Sequence, residues 1–278
     1  MVLEVLGDRA RVRTGDDIVS LRPKGVLRHE GLLAGDDVAL DGEHIISVAP
    51  RRSVLGRPPV ANATELLVVA TLRDPVVQPG DVDRLLLQAS AAGLAALVVL
   101  NKCDLASPAE LAAYARPYRA AGYRVLETVA PRHVGVDRLR DGLEAGLSVL
   151  AGPSGVGKSS LLRALADVAA KVGTISPRLR RGRQTTRTAT LHDLGGGRLL
   201  ADTPGFSALE LPDVPWRDLR LLYPEFSGLE CRFADCVHRL EPDCAVQDAV
   251  REGRVDSGRY ERYLRFLEEM EGRPPKWR

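Results

Sequence analysis

The chain has 278 residues, 45% of them apolar and 27% charged, which is enough nonpolar material for more than one packed core and excludes a disordered chain. Aromatic residues make up only 4%, so the cores must be aliphatic. A formal net charge of +2 does not by itself demand nucleic acid.

Residues 1–57 hold short runs of alternating character (VLEVL, ARVRT, DIVSLRP, DDVALDG, HIISVAP) separated by Gly and Asp turns. Closely spaced short strands of this kind predict a small all-β barrel, an OB-fold or an SH3-like one. Arg9, Arg11, Arg13, Arg22, Lys24, Arg28, Arg51, Arg52 and Arg57 give this segment a basic look. The stretch RRSVLGRPPVAN, with its Pro pair, reads as a linker. The start of the chain, MVLEVLGDRARVR, lacks the basic-then-apolar order of an export signal. No apolar run nears the roughly 20 residues that span a bilayer. A cytoplasmic protein with no membrane association is expected.

From residue 66 the texture changes to strand–helix alternation, which predicts a mostly parallel sheet covered by helices. LLVVATL is a strand, 81–92 a helix, ALVVL a strand, 108–121 a helix and YRVLETV a strand. LSVLA is a strand ahead of a glycine-rich loop, 159–170 a helix, and GRLLADTPG a strand and loop. After Pro212 the alternation stops, leaving a polar stretch, a Cys/His cluster and a final helix near 259–270. The expected division is 1–57, 58–211 and 212–278.

Four motifs carry chemistry. The first in the chain is Asn101-Lys102-Cys103-Asp104, which has the form N-K-x-D at the end of an apolar strand. Asp104 can accept from guanine N1–H and the N2 amine, which adenine lacks. Asn101 can hold the base edge and the phosphate loop, and the stem of Lys102 can pack on the ring. The second is GPSGVGKSS at 152–160, which fits G-x-x-x-x-G-K-[ST]. Gly152, Ser154, Gly155, Val156, Gly157 and Ser160 line a loop whose N–H groups can wrap phosphates. Lys158 can reach the β and γ phosphates, and Ser159 can ligate Mg²⁺. The third is RGRQTTRT, where Thr186, with Thr185 as alternate, is the switch threonine that ligates Mg²⁺. The fourth is Asp202-Thr203-Pro204-Gly205, of the form D-x-x-G. Asp202 would act on Mg²⁺ through water, and Gly205 would offer its N–H to the γ phosphate.

Two positions depart from the usual GTPase pattern. Phe206 follows Gly205 where Ras-like enzymes carry a water-orienting Gln, so Gln184 or a partner macromolecule must supply that group. The serine of the second guanine loop is missing from ETVA at 127–130, which leaves the backbone N–H of Ala130 as the group on offer.

Cys231-x4-Cys236-x-His238-x5-Cys244 supplies three thiols and one imidazole, a closed shell suited to one structural Zn²⁺. In a reducing compartment a metal is favoured over disulfides. Cys103 stands apart, fixed by the guanine motif. Arg180, Arg181 and Arg183 beside the switch threonines are candidates for RNA contact.

These motifs, in this order, resemble the circularly permuted GTPases of the RsgA/YjeQ family, ribosome small-subunit-dependent GTPase A. The resemblance runs through PRRSVLGRP, VANATELLVVAT, DVDRLLLQA, NKCDL, GPSGVGKSSL, GRQTTR, DTPGFSALEL and CRFADCVHRLEPDCAV. It implies an OB-fold, a permuted α/β P-loop GTPase domain and a small, mainly helical zinc-binding domain. It also implies GTP hydrolysis stimulated by the small ribosomal subunit during its late maturation, with contact to rRNA by a monomer. The family commonly has His where Gln184 stands. Gly155 replaces the Asn that potassium-activated GTPases use, so no K⁺ dependence is expected. Two other readings stand beside this one: a GTP-gated RNA-binding module without a catalytic role, and a nucleotide kinase, which NKCD and DTPG oppose.

Overall fold

The computed structural model describes the chain apart from residues 16, 26, 28–30, 57–58, 172–188, 203–209 and 274–278. Among the described residues, β1 (Val2–Leu6), β2 (Arg9–Thr14), β3 (Asp17–Pro23), β4 (Val38–Asp41) and β5 (His44–Val48) form a five-stranded sheet in the order β1-β2-β3-β5-β4. Alternation explains the curl: in β2 the side chains of Ala10 and Val12 turn inward between arginines. Val2, Ala10, Val12, Leu21 and Ile45 fill the interior. The sheet closes just ahead of β4, where Val2 N–H donates to Asp36 O at 2.8 Å and Gly35 N–H donates to Val2 O at 2.9 Å. That order and closure are those of the OB-fold rather than the SH3-like alternative.

The basic look of this barrel is largely neutralised. Arg11 faces Glu4, Arg13 faces Asp193, Arg22 faces Asp8, Arg51 faces Asp36 and Arg52 faces Asp37. The expected linker carries paired strands that pack into the core. β6 (Val54–Gly56) and β7 (Pro59–Ala61) pair as a hairpin, and Leu55 and Val60 are buried in the central core. The Pro pair did not prevent this, because proline is tolerated at the start of an edge strand.

The central sheet contains β8 (Glu65–Ala70), β9 (Ala95–Leu100), β10 (Arg124–Glu127), β11 (Gly146–Ala151), β12 (Thr190–Gly195) and β13 (Arg198–Asp202), in the order β10-β9-β8-β11-β13-β12. All neighbours are parallel except the β12–β13 pair. β8 is buried along its whole length, as the apolar run 66–70 that follows Glu65 requires of a central parallel strand. Four helices belong to this layer: α1 (Pro79–Ala91), α2 (Pro108–Ala120), α3 (Val136–Gly142) and α4 (Lys158–Lys171). α2 starts where it does because of a capping box. Ser107 Oγ accepts from Glu110 N–H, and Glu110 Oε2 accepts from Ser107 N–H at 2.8 Å. α3 and β12 escaped the sequence reading, since each is short and β12 is an antiparallel edge strand lying next to the switch segment.

At the opposite end of the sheet from its motif loops, Glu65 is fully buried, and burial pushes its carboxyl above the ordinary range. It accepts from Arg124 and from Ser148 Oγ. Glu65→Gln is therefore expected to hold or raise stability at pH 7, because the raised carboxyl opposes folding once it ionises. Arg124→Leu is expected to cost about 2 kcal/mol by stranding the Glu65 charge. Urea denaturation of both variants checks the pair of signs.

Beyond Glu210 the chain forms 3₁₀ turns at Trp216–Leu222 and Pro224–Phe226, then α5 (Ala245–Arg251) and α6 (Ser257–Glu271). α5 was also missed, being only two turns long. The core here is aromatic despite the low overall aromatic content. Tyr223 stacks on Phe226 at 5.0 Å, and Tyr263 stands edge-on to both rings at 5.1 Å. No helix among the described residues is long and apolar enough to cross a membrane.

Candidate nucleotide site and cysteine–histidine cluster

In a parallel sheet the loops that follow the strands share one edge. The NKCD loop follows β9, ETVA follows β10, GPSGVGKSS follows β11, and Asp202 ends β13. The chain runs from β8 outward to β9 and β10, then returns to β11 on the other side of β8. The crevice where the strand order reverses is the usual ligand position of an open α/β sheet.

Asn101 ties this edge together. It is 2% exposed. Its Nδ2 donates to Val156 O of the phosphate loop at 2.9 Å. Its Oδ1 accepts from Thr128 Oγ1 at 3.0 Å and from Ala130 N–H at 3.3 Å. One side chain thus joins the loops after β9, β10 and β11. Gly157 completes the fit, since a Cβ there would overlap the Asn101 amide and φ is +95°.

Thr128, which the sequence reading missed, joins the candidate site through Asn101. It is fully buried, and its hydroxyl orients Asn101. The signal in the sequence is the Thr of ETVA. The N–H of Ala130, the group on offer in this loop, is directed at Asn101. The ammonium of Lys102 donates to Asp74 O in the loop before α1, which leaves the stem as the part that could meet a base. Asp104 faces Arg132 at 3.5 Å. Thr128→Val removes the hydroxyl at nearly constant volume and is expected to weaken GDP binding about fivefold, one lost hydrogen bond of about 1 kcal/mol. Titration with a fluorescent GDP derivative measures it.

The phosphate loop is tightly seated. A Cβ at Gly152 would collide with Val69 O, so β11 and β8 can pass only with glycine here. Lys158 donates from Nζ to Gly152 O at 2.7 Å and to Pro153 O at 2.9 Å. Burial lowers its pKa, and the nearby Asp202 carboxylate opposes that shift. Ser154, Gly155 and Ser159 are exposed, with Gly157, Lys158 and Ser160 half-buried, so the loop and the start of α4 present N–H groups and a hydroxyl outward. This arrangement can take a polyphosphate with Mg²⁺ on Ser159 and near Asp202. Gln184, Thr185, Thr186, Gly205, Arg180, Arg181 and Arg183 lie outside the described residues.

Cys231, Cys236, His238 and Cys244 converge, with all four ligand atoms within 4.8 Å of one another. His238 Nδ1 is 3.5 Å from Cys231 Sγ and 3.4 Å from both Cys236 Sγ and Cys244 Sγ, and Cys231 and Cys244 are 3.9 Å apart. A tetrahedron with metal–sulfur bonds of about 2.3 Å and a metal–nitrogen bond of about 2.0 Å has edges near 3.8 and 3.5 Å. The residues therefore fit one Zn²⁺. The shell is braced from outside. Tyr260 and Tyr263 donate to His238 O and Val237 O, each at 2.6 Å. Glu241 accepts from Val237, Arg239 and Leu240 N–H. Burial pushes the Cys236 thiol up to about 12 and His238 down to about 4. The imidazole is thus neutral and ready at pH 7, while metal entry must displace thiol protons.

Comparison with known proteins agrees with this geometry. The RsgA GTPase family model matches residues 48–212. The small ribosomal subunit biogenesis GTPase RsgA of Geobacillus sp. (strain WCH70) is 39% identical, over 99% of this chain and 98% of its own. That of Moorella thermoacetica is 42% identical, over 90% and 89%. The crystal structure of YjeQ from Thermotoga maritima superposes with a TM-score of 0.84 at 31% identity, covering 98% of each chain. The structure of YloQ, a circularly permuted GTPase, gives 0.81 at 28% identity, covering 99% and 96%. With guanine motif, phosphate loop and Asp202 in permuted order on one sheet edge, this chain belongs to the RsgA GTPase family of GTP hydrolases.

Proposed function

We propose that this chain binds GTP at the C-terminal edge of its central sheet, hydrolyses it, and uses the cycle in late maturation of the small ribosomal subunit. The observation that carries the reading is the Asn101 junction, which gives the guanine loop and the phosphate loop a fixed spacing. The names of the relatives supply the subunit as partner.

Asp104 reads guanine N1–H and the N2 amine once released from Arg132. The N–H groups of Ser154, Gly155, Val156, Gly157, Lys158, Ser159 and Ser160 cradle the phosphates. Lys158 turns from its carbonyls to the β and γ oxygens. Ser159 and Thr186 hold Mg²⁺, and Asp202 orders its water. Held there, the ion would supply charge neutralisation of the β and γ phosphate oxygens. Gly205 faces the γ phosphate, and Gln184 orients the attacking water. Cys231, Cys236, His238 and Cys244 hold one structural Zn²⁺. The working units are 1–57, an OB-fold that contacts RNA, 58–211, the permuted GTPase, and 212–278, the zinc unit. The protein acts as a cytoplasmic monomer.

GTP turnover measured with purified small subunits, with large subunits and with neither tests this. Stimulation by small subunits alone is expected. Equal rates in all three would favour a GTP-gated RNA-binding module, the reading to which Phe206 lends support. Replacing Arg180, Arg181 and Arg183 together by Ala is expected to lower the stimulation about tenfold at physiological salt, as lost phosphate contacts do. An unchanged rate would remove these arginines from the RNA surface.

A further inference from the structure

Helix α1 has two differently committed faces. Val82, Leu85, Leu86 and Ala89 are buried in the central core. Asp83, Arg84 and Leu87 are turned to the C-terminal unit, and Leu87 is part of that unit's core. Asp83 is 1% exposed and uses both carboxylate oxygens. Oδ1 accepts from Arg259 Nη1 at 2.6 Å, and Oδ2 accepts from Arg262 Nε. Arg259, 2% exposed, also donates to Glu225 and lies between the rings of Tyr118, Tyr123 and Tyr223. At the rim Arg84 pairs with Glu269 and covers the ring of Phe266. A buried network of this kind has one good geometry. Sliding α6 along α1 would strand a charge away from water.

The other end of α1 begins at the nucleotide edge. Residues 71–78 connect β8 to α1 and are stiffly braced. Thr71 Oγ1 donates to Pro75 O at 2.6 Å, Val77 N–H to Thr71 O at 2.9 Å, and Tyr114 OH to Val77 O at 2.9 Å. Both nucleotide loops touch this connection. Lys102 of the guanine loop donates to Asp74 O. Pro75 lies against the phosphate loop, where a Cβ at Gly155 would come within 3.3 Å of Pro75 Cδ.

We propose that α1 and the C-terminal unit form one rigid arm, keyed by Asp83, whose base the phosphate and guanine loops grip through Pro75 and Asp74. The inference rests on the nucleotide assignment above and adds a route by which the site reaches the C-terminal unit. The route is separate from the covalent one that leaves β13 at Asp202. Among the described residues Asp83 touches none that binds nucleotide, and it acts as a positioning residue.

The test uses the full chain and a non-hydrolysable GTP analogue. Amide hydrogen exchange is followed in α1 and α6, with and without the analogue. In the unaltered chain the analogue is expected to slow exchange in both helices about 5- to 10-fold, the scale of ordinary site-to-site coupling. In Asp83→Asn the α1 response is retained and the α6 response is lost. Arg262→Gln, which leaves the Asp83–Arg259–Glu225 contacts in place, serves if the first variant does not fold, and is expected to reduce the α6 response. An α6 response undiminished in the variants, or absent from the unaltered chain with analogue bound, overturns the proposal. A fluorescence titration on the same samples separates this from failure of the nucleotide reading. If the analogue does not bind, that reading falls first and the arm with it.

Discussion

Asn101→Ala is expected to raise the dissociation constants of GDP and GTP about 100-fold. The residue makes three hydrogen bonds that tie its own loop to two others, from a nearly inaccessible position. At about 1 kcal/mol each, their loss removes about 3 kcal/mol of loop placement, and a factor of ten is about 1.4 kcal/mol. The truncation also strands the Val156 carbonyl and the Ala130 N–H, while the Thr128 hydroxyl keeps Leu100 O as acceptor, so a drop in thermal stability should accompany it. Titration with a fluorescent GDP derivative, below the variant's own melting temperature, separates the two effects. Asp104→Asn is the informative companion. An amide cannot accept both guanine donors, but it can donate to the 2-oxygen of xanthine. Guanine affinity should fall while xanthine affinity rises. An Asn101→Ala variant that binds GDP as before would mean that the three loops are held by other contacts.

Cys236→Ser is expected to abolish stoichiometric zinc and to loosen residues 212–273. Structural Zn²⁺ contributes an apparent binding free energy of about 10 kcal/mol or more at neutral pH. Whole domains are stable by only about 5–15 kcal/mol. Within the aromatic cluster, Phe226 stands edge-on to His238 at 5.4 Å and Tyr263 lies tilted to it at 6.3 Å, so loss of the metal should spread into that core. The central sheet has its own buried cluster, and GDP binding should persist. Metal analysis with hydrogen exchange reads both outcomes. Cys103→Ser is the control, because Cys103 sits in the guanine loop with Sγ near Leu100 O. Full metal content in Cys236→Ser would remove that residue from the ligand set. Acid should compete with the metal in the unaltered chain, since the thiol protons must leave before zinc can enter.

Much of the candidate site was legible because its motifs are local. A phosphate loop needs its glycines and lysine within one turn, and NKCD needs a strand directly before it, so both survive in a linear text. The cysteine–histidine spacing was likewise legible, because ligands close in sequence can share one ion. Thr128 was not legible as part of the candidate site. Its importance comes from Asn101, which is distant in the chain and adjacent only because β9 and β10 pair in parallel. The basic N-terminal segment misled in the opposite sense. Charge counted along a strand ignores the carboxylates that cross-strand and inter-unit packing set beside it, as with Arg13 and Asp193.

The early NKCD shows the division most clearly. By itself the sequence determined the chemistry of each loop, the strand–helix alternation that carries them, and the permuted order. Tertiary structure decided how the loops hold one another and where the C-terminal unit sits. Nothing local in DVDRLLLQA marks Asp83 as a buried acid among arginines. That role exists only when α6 lies against α1, since a carboxylate enters a core only where cations enter with it.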